Sequence, residues 1–162
     1  MTPQEIRLVR SSFARLEPRA VQYAELFLGH VLRADAGIAP MLKGEPAGQG
    51  QRLMQLIGVA VSLLDKPGQL NPVLRKLGAR FAGHGINQRH CDTLGAALLR
   101  ALSEALGDAF DEATCDAWVE MHAIVSRTMI AAARAEEFER SVACQRAVPF
   151  EQAPMSEPGA LA

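Results

Sequence analysis

The amino-acid sequence predicts an all-α protein, because apolar residues recur with the period of a helix along most of the chain. Signals for helix starts and ends separate these periodic segments. No segment shows the strict alternation of a half-buried strand. The 162 residues, 49% of them hydrophobic, are enough for one compact domain with a sizeable core. We therefore expect about six to eight helices in a single domain.

The first two helices have clear boundaries. A capping box over residues 2–5 begins the first helix, since Thr2 and Glu5 can each accept a backbone N–H of the other. A second helix is expected after Pro18, and Ala36-Gly37 should end it. The apolar positions of these helices are Ile6, Val9, Phe13, Leu16, Val21, Leu26, Phe27, Val31 and Leu32.

A loop is predicted over Gly44–Gly50, which contains three glycines and a proline. A strongly amphipathic helix follows, and Pro67-Gly68 should end it. Asn71-Pro72 is typical of the cap and first residue of a shorter helix, whose end Gly83 and Gly85 weaken. The apolar positions of these two helices are Leu53, Leu56, Ile57, Ala60, Leu63, Leu64, Val73, Leu74, Leu77 and Phe81.

Two long helices complete the predicted core, one ending at Gly107 and the other starting near Asp111. The residues expected to be largely buried are Trp118, Leu98, Leu56 and Leu77. After about Arg140, frequent prolines and little apolar period indicate a flexible tail. The predicted organisation is thus a domain over residues 1–140 and a tail over residues 141–162.

Composition excludes several classes of partner. A formal net charge of −1 gives no electrostatic reason to expect nucleic acid or an anionic membrane surface. No apolar stretch approaches the roughly 20 residues that span a bilayer, and no basic-then-apolar leader is present. Cys91, Cys115 and Cys144 have no paired metal or redox spacing. We expect a cytoplasmic protein with reduced thiols.

The segment Leu77–Ile86, followed by His90–Leu99, resembles the proximal region of the globin family without gaps. Leu106–Phe110 and Ala117-Trp118 recur at the spacing found in single-domain bacterial haemoglobins, flavohaemoglobin globin domains and neuroglobin-like proteins. The resemblance covers roughly residues 2–137. It implies a globin fold with b-type haem between two helices and iron bonded to a proximal histidine.

On this match the proximal site departs from the family. Phe81 occupies the position of the histidine, and its ring has no lone pair to donate to iron. Cys91 and Ala133 match the tyrosine and glutamate that support that histidine. On an ideal helix His84 lies about 60° round and about 4.5 Å along from Phe81. Because neighbouring glycines permit unusual backbone, His84 is the leading replacement ligand.

The distal site also departs from the family pattern. Leu42 matches the packing phenylalanine near the haem edge, and Leu28 matches the tyrosine that hydrogen-bonds bound ligand. Gln49 stands at the distal polar position, and Leu53 lines the same side. The resemblance therefore implies a cofactor-binding set with few hydrogen-bond donors.

The histidines have structural interpretations as well. His84 could instead lie at an exposed corner between helices or touch a haem propionate. His90 is expected to serve a helix start. His122 is expected to be a satisfied, partly buried imidazole, and His30 an exposed residue near a helix end.

Two functions remain open. The first is a protein that binds b-type haem through His84, with or without a diatomic gas such as oxygen or nitric oxide. The second is a haem-free regulatory or interaction module, with Phe81 filling the proximal site and a protein partner or a second copy as its ligand. A stand-alone enzyme is not expected, since no reductase domain fits after residue 140 and no nucleotide or hydrolase motif is present.

Overall fold

The computed structural model describes residues 1–41 and 46–147, and these ranges contain α-helices and short 3-10 turns without any strand. The prediction of an all-α fold is confirmed. The six described helices are α1 (Pro3–Leu16), α2 (Ala20–Ala34), α3 (Pro46–Ser62), α4 (Pro67–Phe81), α5 (Gln88–Leu106) and α6 (Glu112–Ala147). None of them is both long and apolar enough to cross a membrane.

Side-chain caps fix the starts of several helices. In the predicted capping box, the Thr2 N–H donates to Glu5 Oε2 at 2.6 Å and the Glu5 N–H donates to Thr2 Oγ1 at 3.2 Å. The Thr114 N–H donates to Asp111 Oδ1 at 2.8 Å at the start of α6. Gly107, with a φ of 54°, ends α5 in the left-handed region that favours glycine. These boundaries agree with the sequence signals.

The core lies where α1, α2, α5 and α6 meet, and Trp118 is at its centre with no exposed surface. Its Nε1–H donates to Ser12 Oγ at 2.9 Å, and the Ser12 hydroxyl donates to the Leu8 carbonyl at 2.7 Å. The indole N–H is therefore satisfied inside an apolar core. Trp118 and Leu98 are buried as predicted.

Two helix pairs approach closely at glycine. A Cβ on Gly50 would lie 2.9 Å from the Cβ of Ala24, so α2 and α3 cross at this point. A Cβ on Gly78 would collide with the backbone of Met129, so α4 lies directly on α6. Both positions require a residue without a side chain at the contact.

Two predicted boundaries in the middle of the chain were wrong. Helix α3 begins at Pro46, so residues 46–50 of the predicted loop are helical, while residues 44–45 lie outside the described part. Helix α4 begins at Pro67 rather than Pro72. Proline is well suited to a first helical turn. Pro72 is tolerated inside α4 because it and Gly68 are exposed, so water can satisfy the Gly68 carbonyl.

Some burial predictions also fail. Leu56 is 40% exposed, and Leu77 is only half-buried. Val21 and Leu32, taken as apolar-face positions, are 66% and 43% exposed. The apolar period located the helices, but it overestimated the width of their buried faces.

The last helix extends past the predicted end of the domain. Helix α6 continues through residue 140 to Ala147, so residues 141–147 are helical. An i,i+4 ion pair, Arg140 Nε to Glu136 Oε1 at 3.1 Å, supports this part of the helix. The rest of the predicted tail lies outside the described residues.

Candidate functional site

Helix α4 carries two adjoining rows of apolar positions. The row formed by Leu70, Leu74, Gly78 and Ala82 is buried, with Gly78 against α6. In the neighbouring row, also at i,i+4 spacing, Leu77 and Phe81 are half-buried and Val73 is exposed. An apolar row left partly exposed beside a fully packed one is a surface available to an apolar ligand.

Helix α3 has a comparable row at the edge of its buried face. Gln49 and Leu53 are half-buried and Leu56 is exposed, whereas Gly50 and Met54 on the inner face are buried. Leu53 packs against the same core as Leu77 and Phe81 of α4.

The close approach of Ala24 and Gly50 shows where α2 and α3 cross. Leu28 lies one helical turn beyond Ala24 and is 9% exposed. Gln49 and Leu53 stand on either side of Gly50 along α3. The structure thus places Leu28, Gln49 and Leu53 around one helix crossing. Leu42, the remaining distal residue of the sequence prediction, lies outside the described residues.

Phe81 is the last residue of α4, and its ring is half-buried against the core. The two positions matched to its polar supports are closed to solvent, since Cys91 is 3% and Ala133 1% exposed. Burial raises the pKa of the Cys91 thiol, so this group stays neutral. Neither Phe81 nor these neighbours offers an anionic or imidazole ligand.

The chain tightens from α to 3-10 geometry immediately after Phe81. The Ala82 N–H bonds to the Ala79 carbonyl, and the Gly85 N–H bonds to the Ala82 carbonyl at 3.2 Å, both across three residues. In a 3-10 turn, side chains three residues apart eclipse, at a separation of about 6 Å along the axis. The offset of about 60° expected for His84 on an ideal helix is therefore largely removed.

His84 ends this turn and is half-buried. Within residues 1–41 and 46–147, its ring makes no hydrogen bond or ion pair. Gly85 follows with a φ of 67°, so the left-handed conformation expected from the glycines occurs there and not at Gly83. A Cβ on Gly83 would lie 3.5 Å from Arg140 Nη1, which shows that α6 backs the turn.

This contact between α6 and the turn was not predicted from the sequence, because Arg140 fell at the predicted end of the domain. Arg140 is held by Glu136, one helical turn earlier on α6. A glutamate four residues before an arginine is a recognised sign that a helix continues. The spacing of Glu136 and Arg140 is therefore the feature of the sequence that could have indicated a longer α6.

Two histidines have structural roles, as predicted. The Asn87 N–H donates to His90 Nδ1 at 3.3 Å, and the His90 N–H donates to Asn87 Oδ1 at 3.1 Å, which caps α5. His122 Nε2 lies 3.2 Å from Ser126 Oγ, and its ring covers Gly95, where a Cβ would approach within 2.6 Å. Burial lowers the pKa of His122.

The expectation for His30 was wrong. Its side chain is only 10% exposed, and Nε2 lies 3.1 Å from Glu104 Oε1 on α5. This contact lacks the alignment of a hydrogen bond. The position near the end of α2 suggested solvent exposure, but α2 packs along α5 over this stretch.

Comparison with known proteins supports the resemblance. The model of the family described as Globin matches residues 39–129. The chain is 29% identical over 85 residues to a flavohemoprotein of Chromobacterium violaceum, covering 52% of this chain and 21% of that protein. It is 33% identical over 78 residues to a neuroglobin of Danio rerio, covering 48% and 49%. A neuroglobin of Dissostichus mawsoni is 32% identical over 78 residues, with the same coverage. The matched segment thus spans about half of each neuroglobin and a fifth of the flavohemoprotein.

Proposed function

The chain belongs to the globin family, and from this premise we propose that it is an atypical b-type haem protein in which His84 replaces the proximal histidine. The observation that carries the proposal is the 3-10 turn after Phe81. Because residues three apart eclipse in such a turn, His84 extends in the direction of the Phe81 side chain. Its imidazole is the nitrogen donor nearest along the chain to the position where the family carries its ligand.

The surrounding residues suit a porphyrin. Leu53 on α3 and Leu77 and Phe81 on α4 present partly buried apolar surface on the same core. Leu28 adds a buried apolar side chain beside the helix crossing. Cofactor sites are mostly apolar with a few placed polar groups, and Gln49 and His84 are the polar side chains here. Leu42 is proposed as a further contact, from the resemblance alone.

When bound, haem would supply an iron able to coordinate a diatomic gas such as oxygen or nitric oxide. The residues of this chain would orient the porphyrin, exclude water and provide one axial nitrogen from His84. Gln49 would offer an amide on the distal side. The relatives support the class of ligand, since one is named a flavohemoprotein. We propose a binding role and not catalysis by this chain alone.

The experiment is a haemin titration followed by absorption in the Soret region. Wild type should give a six- or five-coordinate histidine-type spectrum, and His84→Ala should lose most of that band because it removes the only donor at the turn. Added imidazole should restore the band in His84→Ala if the pocket is intact. His90→Gln is the matched control, since His90 caps α5, and it should bind haemin as wild type does. Wild-type binding that survives His84→Ala would contradict the assignment.

One observation favours a second function. The Phe81 ring is already packed against the core, so it can close the proximal site without a cofactor. The chain would then be a haem-free globin-fold module that recognises a protein partner or a second copy. In this case wild type takes up no haemin, whereas Phe81→His creates binding by restoring a nitrogen donor. Haemin binding by wild type through His84 would eliminate this alternative.

A further inference from the structure

A groove of about 520 Å³ lies where the turn between α1 and α2 meets the end of α5, and none of its lining residues belongs to α3 or α4. Its floor is apolar and includes Leu16, Leu26 and Leu106. Leu16 is 3% exposed and belongs to the core. The volume is within the range that small organic ligands occupy.

The charged groups on the rim of this groove are unequally paired. Arg15 and Arg19 line one side and make no ion pair in the described ranges. Glu104 lines the other side, but its carboxylate already contacts Arg100 Nε at 3.4 Å and His30 Nε2 at 3.1 Å. The positive charges are therefore available to a ligand, whereas the Glu104 carboxylate is shared with Arg100.

Tyr23 supplies an independent observation. It lines the groove, is 2% exposed, and its hydroxyl has no hydrogen-bond partner among the described residues. An unpartnered buried hydroxyl is destabilising, and phenylalanine would fill the same space without that penalty. Burial raises the pKa of Tyr23, so the group remains a protonated donor that lacks an acceptor.

We propose that this groove binds an organic carboxylate with a compact apolar body. Arg15 and Arg19 would hold the carboxylate through charge-assisted hydrogen bonds. The leucine floor would cover the hydrocarbon part, and the carboxylate, directly or through one water, would give the Tyr23 hydroxyl its acceptor. Since that hydroxyl is shielded from solvent, binding includes a small displacement of the groove wall. The site is separate from α3 and α4 and does not depend on haem.

The test is a titration of the full chain with 3-phenylpropanoate, followed by NMR. Tyr23 is the only tyrosine, so its ring resonances can be followed without overlap from another tyrosine. We expect saturable shifts of the Tyr23 ring with the acid and much weaker shifts with the neutral 3-phenylpropanamide. No saturation below about 10 mM acid would overturn the proposal, as would equal binding of the amide. Equal binding of inorganic phosphate would do so too, because charge alone would then explain the result.

Variants separate the groove from general charge effects. Arg15→Gln with Arg19→Gln should weaken binding about tenfold, because the charge-assisted hydrogen bonds are lost. The control pair Arg75→Gln with Arg89→Gln makes the same change in net charge on exposed positions of α4 and α5 and should leave affinity unchanged. Tyr23→Phe should raise the melting temperature of the free chain and weaken binding. A control pair as damaging as the groove pair, or unchanged affinity in Tyr23→Phe, would contradict the proposal.

Discussion

At the scale of single residues, the backbone after Phe81 forms a 3-10 turn that ends at His84. The resemblance placed Phe81 at the family's ligand position from a gap-free match. The direction of the His84 side chain depends on whether the chain continues as an α-helix or tightens to a 3-10 turn after Phe81. Neither the glycines beside His84 nor its spacing from Phe81 predicts which of the two occurs. The i,i+3 hydrogen bond from Gly85 to Ala82 is a backbone property that only the structure shows.

The contact between Ser12 and Trp118 is another residue-scale feature that no local pattern predicts. The two residues are 106 positions apart in the chain. Ser12 is 5% exposed, in the middle of an apolar helix face. A buried serine among apolar residues would ordinarily be destabilising, but here its oxygen accepts the indole N–H.

Replacing Ser12 should therefore destabilise the fold. Ser12→Ala leaves the Trp118 N–H buried without an acceptor, and we expect a loss of about 1–3 kcal/mol in the free energy of unfolding, measured in urea at neutral pH. Ser11→Ala is the matched control, because Ser11 is exposed and its hydroxyl contacts only the Leu8 carbonyl. Equal effects of the two variants would show that the indole contact contributes nothing.

At the scale of the helix, α4 shows how packing overrides the apolar period. Sequence periodicity treated Val73, Leu74, Leu77 and Phe81 as one face. In the structure, contact with α6 selects the row that contains Gly78 and leaves the neighbouring row partly exposed. The close approach at Gly78 brings the row that contains this glycine against α6. In a sequence, glycine counts as an interruption of an apolar pattern, so this row was not predicted to be the buried one.

Gly78→Ala tests this packing. The new Cβ would meet the Met129 backbone, which cannot rotate away, so we expect a loss of about 2–3 kcal/mol in the free energy of unfolding. Gly68→Ala, in the first turn of the same helix, meets no atom within 4 Å and should stabilise the chain by about 0.5 kcal/mol. Denaturant melts of both variants measure the difference. A stabilising Gly78→Ala would contradict the close approach of α4 and α6.

The contact between α5 and α6 should make stability depend on pH. Burial lowers the folded-state pKa of His122 from 6.5, while the Asp92 charge and the Cys91 backbone offset part of this effect. The unfolded chain therefore binds more protons than the folded chain below about pH 6.5. The contribution of neutral His122 to stability is fully present above that pH and is lost as the pH falls through 6.5 toward the lowered pKa.

The measurement is the free energy of unfolding between pH 7.5 and 5. Wild type should lose stability over this interval, with a slope of at most about 1.4 kcal/mol per pH unit. His122→Gln should flatten the profile, because the titrating group is gone. His90→Gln is the control and should keep the wild-type slope, since His90 lies at the start of α5. A profile that stays steep in His122→Gln would assign the pH dependence to another group.

At the scale of the whole molecule, the helical class and most helix boundaries could be predicted from the sequence. The capping box of Thr2 and Glu5 involves only residues close together in the sequence, so it could be predicted correctly from that segment alone. Pro46 was assigned to a loop and Pro67 to a helix end, but each begins a helix. Proline is common both after the end of a helix and in its first turn, so its presence alone does not decide between the two. The distal residues of the proposed site rest on the family match, whereas the crossing of α2 and α3 at Ala24 and Gly50 joins distant segments and could not be predicted from either one.

The most direct test of the central claim uses NMR of the chain labelled with ¹⁵N in its four histidine rings, in complex with ferrous haem and carbon monoxide. We predict that one ring nitrogen resonance shifts strongly on haem binding and that this resonance is missing in His84→Ala. The rings of His30, His90 and His122 should keep their free-chain shifts. A strong shift on any of those three rings, or none on His84, would contradict the claim that His84 replaces the proximal histidine.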